Sequence, residues 1–206
     1  MILYLSALKT KMAHIPFRYS SESMSRRIAM LKRLAGLQGN DKARSNACFR
    51  LAAAFGTGDG VKKDGKEEVK WLIKASELGH VESQNKLGNC YYNGKGVAQS
   101  YEKAFEWYQK AADQGRAGAQ YNLGACYYNG AGVTVDRKKA KRSIKLAAKQ
   151  GNAAAHSMLA HLEAESGKDS NLQKAQKHIR KAQAALQADD SVQSARYKHI
   201  AQVIRV

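Results

Sequence analysis

Residues 83–116 read SQNKLGNCYYNGKGVAQSYEKAFEWYQKAADQGR, and residues 119–152 read AQYNLGACYYNGAGVTVDRKKAKRSIKLAAKQGN. The second line restates the first 36 residues later, and Leu51, Leu87, Leu123 and Leu159 keep that interval along the chain. A fixed period of this length marks a repeat architecture in which each unit buries its apolar face against its neighbours. Each copy has the parts of a helix pair. Ser83, Leu87, Cys90 and Tyr91 fall at helical spacing on a first helix. A Gly-x-Gly-Val segment (Gly94–Val97, Gly130–Val133) turns the chain. A second helix then gathers Ala104, Trp107, Tyr108, Ala111 and Ala112 on one face and stops at Gly115, with Gly151 as the next equivalent.

Two more copies flank these. Residues 47–80 read ACFRLAAAFGTGDGVKKDGKEEVKWLIKASELGH, and a degenerate fourth runs from Ala155 to Ala185 with one residue lost in its loop. Small residues (Gly88 and Gly124 on first helices; Ala104, Ala111, Ala140 and Ala147 on second) allow close helix approach. Trp71 and Trp107 are then expected to be buried between successive repeats.

The pattern A-xxx-LG-xx-Y-xx-G-x-GV-xx-D-xx-KA-xx-W-xx-xAA-xxG resembles the Sel-1-like repeat, a branch of the tetratricopeptide superfamily. Departures are local: Ala52 for the first-helix glycine, Ser100 for the usual Asp, Ser143 for tryptophan, and no Gly-x-Gly-Val turn in the fourth copy. Decay toward an end is what a terminal repeat shows. The resemblance implies an all-α, right-handed α-solenoid of antiparallel helix pairs. The expected organisation is a basic arm and capping helix over 1–46, repeats at 47–82, 83–118, 119–154 and 155–190, and a capping helix over 191–206. The N-terminal cap rests on residues 27–40, whose join to Ala47 is about one helical turn too long for the repeat register. The C-terminal cap rests on the helical spacing of Val192, Ala195, Ile200, Val203 and Ile204.

Charge is unevenly spread. The chain carries 35 basic and 17 acidic side chains, a net +18, and the excess lies in 1–46 and 137–206 while the middle is nearly neutral. Such ends suit an anionic partner, an acidic protein or RNA. The first forty residues hold seven basic side chains and one acid, Glu22. That composition fits a mitochondrial transit peptide or a basic terminal arm, and the arm is the favoured reading. Three cysteines (Cys48, Cys90, Cys126) without a Cys-x-x-Cys pair point away from disulfides and zinc and toward a reducing, intracellular compartment, the cytoplasm first and mitochondria second. Cys90 and Cys126 share one repeat position and read as core. The apolar opening, residues 1–8, is too short to span a bilayer, and no transmembrane segment is expected.

No catalytic, metal or cofactor constellation emerges. His14, His80, His156, His161, His178 and His199 are scattered, and the two closest, His156 and His161, are five apart and poorly placed for one helical face. The Gly-x-Gly segments follow helices and lack a Gly-Lys-Ser/Thr ending, so they are turns rather than phosphate loops. The expectation is a non-enzymatic scaffold or adaptor that binds a protein or peptide segment, with no small-molecule substrate. In the tetratricopeptide superfamily first helices line a concave groove, with contacts two before and two and five after the core leucine. The resemblance therefore implies Phe49, Asn85, Asn89, Tyr92, Tyr121, Tyr128, Ser157 and His161 as groove residues. A second surface is the stripe Lys138, Lys141, Lys145 and Lys149, continued by Lys174, Lys177 and Lys181, with acids scarce opposite it. The alternative reading is a basic subunit of a ribonucleoprotein or organellar complex. The stripe itself has no aromatic or arginine stacking group, which counts against it.

Overall fold

The computed structural model describes residues 21–36, 39–164 and 169–188. The expectations for residues 1–20 and for a cap over 191–206 lie outside the described residues. Among those described there are nine helices and no strand: α1 (Ser21–Gly36), α2 (Asp41–Thr57), α3 (Gly65–Glu77), α4 (Val81–Asn93), α5 (Tyr101–Asp113), α6 (Ala117–Asn129), α7 (Arg137–Lys149), α8 (Ala153–Ala164) and α9 (Asp169–Ala188). Each helix packs chiefly on the one before and the one after it, which is the one-dimensional contact pattern of a solenoid. Three repeats are thus α2–α3, α4–α5 and α6–α7, and α8–α9 forms the fourth pair.

The helix boundaries follow from caps recurring at the repeat interval. Asp64, Ser100 and Asp136 precede α3, α5 and α7, and each side-chain oxygen accepts a hydrogen bond from a first-turn amide, at Lys66 (2.8 Å), Lys103 (3.2 Å) and Lys139 (2.9 Å). Ser100, a departure from the usual Asp, therefore keeps the capping function, because a hydroxyl oxygen serves as well there. At the far end of α5 the Arg116 amide reaches back to the Ala111 carbonyl and the Gly115 amide to Ala112. These bonds satisfy carbonyls that the helix itself leaves open. The surplus turn ahead of Ala47 has a structural explanation. Asn40 caps α2 through the Ala43 amide at 3.0 Å, and α2 has 17 residues where α4 and α6 have 13. The extra turn is simply helical.

Leu51, Leu87, Leu123 and Leu159 are at most 4% exposed, and Ala104, Ala111, Ala140 and Ala147 are fully buried opposite them. The glycine after the core leucine has a steric role. A Cβ on Gly88 would lie 2.6 Å from the Tyr108 ring, and one on Gly124 would lie 2.5 Å from Ile144. Leu72, Tyr108 and Ile144, which occupy one repeat position, fill the space between paired helices. This corrects the expectation for the tryptophans. Trp71 and Trp107, one residue earlier, are only half-buried, packed against apolar residues of neighbouring helices. Lys74 and Lys110 lie over their rings at 4.5 and 4.2 Å. A helix turns about 100° per residue, so a one-residue offset moves a side chain from the core to its rim.

Adjacent repeats are locked by two further devices. Gly96 and Gly132, at φ +71°, set the Gly-x-Gly turn against the start of a preceding second helix. A Cβ on either would collide with a backbone carbonyl, Gly65 or Tyr101 respectively. The other device is an amide clasp. Gln84 Nε2 donates to the Ser76 carbonyl at 3.2 Å while its Oε1 accepts from Gln114 at 2.7 Å. One repeat later Gln120 Nε2 donates to the Ala112 carbonyl at 3.5 Å while its Oε1 accepts from Gln150 Nε2 at 2.9 Å. Each clasp satisfies a buried amide and fixes the register of three helices at once.

Candidate functional site: an amide cluster across two first helices

The first helices α4 and α6 bring three asparagines together. Asn122 Nδ2 donates to Asn85 Oδ1 at 3.0 Å and to Asn89 Oδ1 at 3.3 Å, and the Tyr108 hydroxyl donates to Asn89 Oδ1 at 2.7 Å. Asn85 is buried, Asn122 half-buried and Asn89 exposed, so the cluster runs from the core to the surface. Burial pushes the Tyr108 phenol well above its ordinary range, which keeps it a hydrogen-bond donor. With its oxygen held by Asn122 and Tyr108, Asn89 presents its amide nitrogen as a donor at the exposed end.

The other groove residues are placed less uniformly. Phe49 stacks on His80 with ring centroids 4.5 Å apart, and Lys86 lies 4.9 Å above the Phe49 ring. Tyr92 meets Tyr101 edge-on at 5.0 Å, and Tyr128 lies 3.6 Å from the Arg137 guanidinium. These two tyrosines occupy one repeat position, and each leans on the first residue of the next helix within its own pair. Tyr121 packs half-buried against the apolar cluster of α7 and α8. Ser157 is buried and its hydroxyl donates to the Ala153 carbonyl at 3.2 Å, while His161 is exposed. The structure thus joins Asn85 and Asn89 and adds two residues that sequence reading missed, Asn122 and Tyr108. Asn122 follows Tyr121 and stands where the other repeats carry Arg50, Lys86 and Met158, so repeat position alone gave no signal for it.

The lysine stripe also needs correction. Lys138, Lys145, Lys149, Lys174, Lys177 and Lys181 are exposed, but Lys141 is half-buried and pairs with Glu163 of α8 at 2.7 Å. Glu163 is itself buried, so an acid does stand opposite the stripe. The hydrogen bond from Lys141, aided by Lys174 and Lys145, holds its carboxyl below the usual range despite burial. Burial pushes the Cys90 and Cys126 thiols each up to about 11 and raises Cys48 as well. All three are free and buried, as apolar core residues are. Among the described residues no group of three or more His, Cys, Asp or Glu could hold a metal ion, and no helix is long and apolar enough to cross a membrane.

Comparisons with known proteins agree with this architecture. A search of curated proteins finds no match. Among solved structures, a Sel1 repeat protein from Oxalobacter formigenes is 38% identical with a TM-score of 0.56, over 63% of this chain and 94% of that one. Cysteine rich protein B of Helicobacter pylori is 25% identical with a TM-score of 0.50, over 68% and 98%. A protective antigen present in uropathogenic Escherichia coli strains, displaying an SLR fold, is 24% identical with a TM-score of 0.66 over 82% of this chain. The present chain spans 42% of that antigen's length. The Sel1 repeat family model matches three consecutive segments, 45–80, 81–115 and 117–152, which coincide with the three helix pairs from α2 to α7. The chain belongs to the Sel1-repeat family.

Proposed function

We propose that this chain is a non-enzymatic scaffold that holds an extended segment of a partner protein against the first helices α4 and α6. Sel1-repeat proteins generally mediate protein–protein interactions and are typically non-catalytic. The observation that carries the finer reading is the Asn85–Asn122–Asn89–Tyr108 cluster. Its inner amides are fixed by one another, and Asn89 is left as a pre-oriented donor suited to a peptide carbonyl. Phe49 under Lys86 adds a flat apolar surface on the first helix of the preceding repeat. The exposed lysines of α7 and α9 act on encounter with an acidic stretch of the partner, since surface charge tunes association rate and is screened by salt.

The test begins with proximity labelling to identify a partner, followed by binding kinetics on the purified pair. Asn89→Ala is expected to raise the off-rate about tenfold, the worth of a hydrogen bond left unmade in a desolvated contact. Lys145→Gln with Lys149→Gln is expected to lower the on-rate and flatten its salt dependence. A partner whose off-rate ignores Asn89, yet whose binding vanishes with the two lysines, would replace the amide cluster with the basic face as the site.

A further inference from the structure

His156 occupies the clasp position of its repeat, 36 residues after Gln120 and 72 after Gln84. Gln84 donates to the Ser76 carbonyl and Gln120 to the Ala112 carbonyl, and the His156 ring hydrogen-bonds the equivalent carbonyl, Ala148. The acceptor is thus conserved by the repeat geometry while the donor has become an imidazole. The partner has changed too. In place of a second glutamine, His178 of α9 brings its Nδ1 to 3.1 Å from His156 Nδ1, with ring centroids 5.3 Å apart.

Proton bookkeeping constrains this pair. His156 faces His178 through Nδ1, so Nε2–H is the atom left to donate to Ala148, and neutral His156 has only a lone pair at Nδ1. His178 must then supply the Nδ1–H between the rings. Protonating His178 at Nε2 keeps that hydrogen bond. A second proton, on His156 Nδ1, sets two N–H groups head to head at 3.1 Å and breaks it. His156 is buried and His178 half-buried, so water screens the two charges poorly.

We propose that the His156–His178 pair is an acid-sensitive latch that holds α9 on α8 near neutral pH and releases it on acidification. The surroundings favour release. Lys141 and Lys145 face the pair's neighbourhood from α7, and Lys174, Lys177 and Lys181 from α9, against the Glu163 carboxylate of α8 that Lys141 already holds. Burial first, then the other histidine and Lys181, lowers the His156 pKa, and burial and Lys181 lower that of His178. Lowered folded-state values mean that the neutral pair stabilises the docked helix above the unfolded value near 6.5, and that this is lost as pH falls below it. Release uncovers the face of α8 around Ala160, which by repeat position is the face turned to the second helix of its own pair.

The test is backbone amide exchange of the full chain at pH 7.5 and pH 5.0, corrected for intrinsic rate, with α5 as internal reference. Wild type is expected to lose about tenfold or more protection across 175–182 at pH 5.0 relative to α5. His156→Gln restores the interior clasp residue and should abolish that loss. His178→Gln is the second variant should the first not fold, with the same expectation. Unchanged relative protection of wild-type α9, or an equal loss in the folded glutamine variant, overturns the latch.

Discussion

The seams from α3 to α7 and the last described seam, at α8 and α9, use one geometry with different chemistry. Across α3, α4 and the end of α5, and again across α5, α6 and the end of α7, a buried glutamine links a backbone carbonyl to a second glutamine, and no group in the clasp titrates. At the α8–α9 end the same backbone carbonyl position is engaged by His156, whose partner is His178. The glycines that let Tyr108 and Ile144 sit against the first helix are replaced there by Ala160. The repeat fixes where a hydrogen bond must end, because the helix backbone returns every 36 residues, but leaves open what supplies the proton. The two earlier clasps use amides that do not titrate, and the last described seam uses imidazoles that do.

The largest effect should come from breaking the interior seam at its core. Leu87 and Leu159 hold the same repeat position and are both buried. Leu87→Ala leaves a cavity walled by repeats on two sides and should cost about 3–5 kcal/mol. Leu159→Ala opens inside the last described helix pair, where fewer described neighbours hold the cavity open, and should cost about 2–3 kcal/mol. Chemical denaturation followed by circular dichroism reads both. Equal losses, or a larger one at Leu159, would mean that the last described pair is packed as rigidly as the middle.

The asymmetry between these seams also decides what could be read from sequence. The repeat period, the helix pairs and the cores around the four leucines were legible, because each depends on side-chain type at fixed spacing. The amide cluster was half legible. Asn85 and Asn89 follow from repeat position, while Tyr108 of α5 and Asn122 of α6 reach them by contacts 19 to 37 residues away in sequence. His156 and His178 looked unrelated for the same reason, being 22 apart on helices whose packing alone aligns them. The tryptophans were misplaced by a single position, since helical periodicity does not separate the centre of a buried face from its rim. Glu163 lay unseen opposite Lys141 because α8 is the neighbour of α7 only once the chain is folded.

A smaller effect tests the clasp itself. Gln114 is exposed, but it supplies the hydrogen bond to the oxygen of Gln84, whose side chain is buried. Gln114→Ala removes little apolar contact and leaves that oxygen without its donor, so about 1–2 kcal/mol should be lost at any pH between 5 and 8. Parallel denaturation curves across that range check the expectation. A loss that grows on acidification would show that this clasp is not pH-indifferent and would erase the contrast with the α8–α9 seam.

The smallest effect concerns the starts of α4 and α8, where the contrast in chemistry runs the other way along the chain. Asn152 caps α8 by accepting from the Ala155 amide at 2.9 Å, and an amide oxygen does so at any ordinary pH. His80 caps α4 through Nδ1, which accepts from the Ser83 amide at 3.2 Å and lies 2.9 Å from the Ser83 hydroxyl. Only an unprotonated Nδ1 can accept. Burial first, and Lys86 with it, lowers the His80 pKa against the opposing pull of Glu82. The neutral ring's contribution is therefore full above the unfolded value near 6.5 and is lost as pH falls through the lower folded value. Replacing the ring with a cap that has no proton to gain, His80→Asn, should leave stability at pH 7.5 nearly unchanged. At pH 5.0 it should recover up to about 1 kcal/mol relative to wild type, the usual worth of an N-cap. Denaturation midpoints of the two proteins measured across that range settle the matter: parallel pH profiles would mean that the His80 cap is not what acid removes from α4.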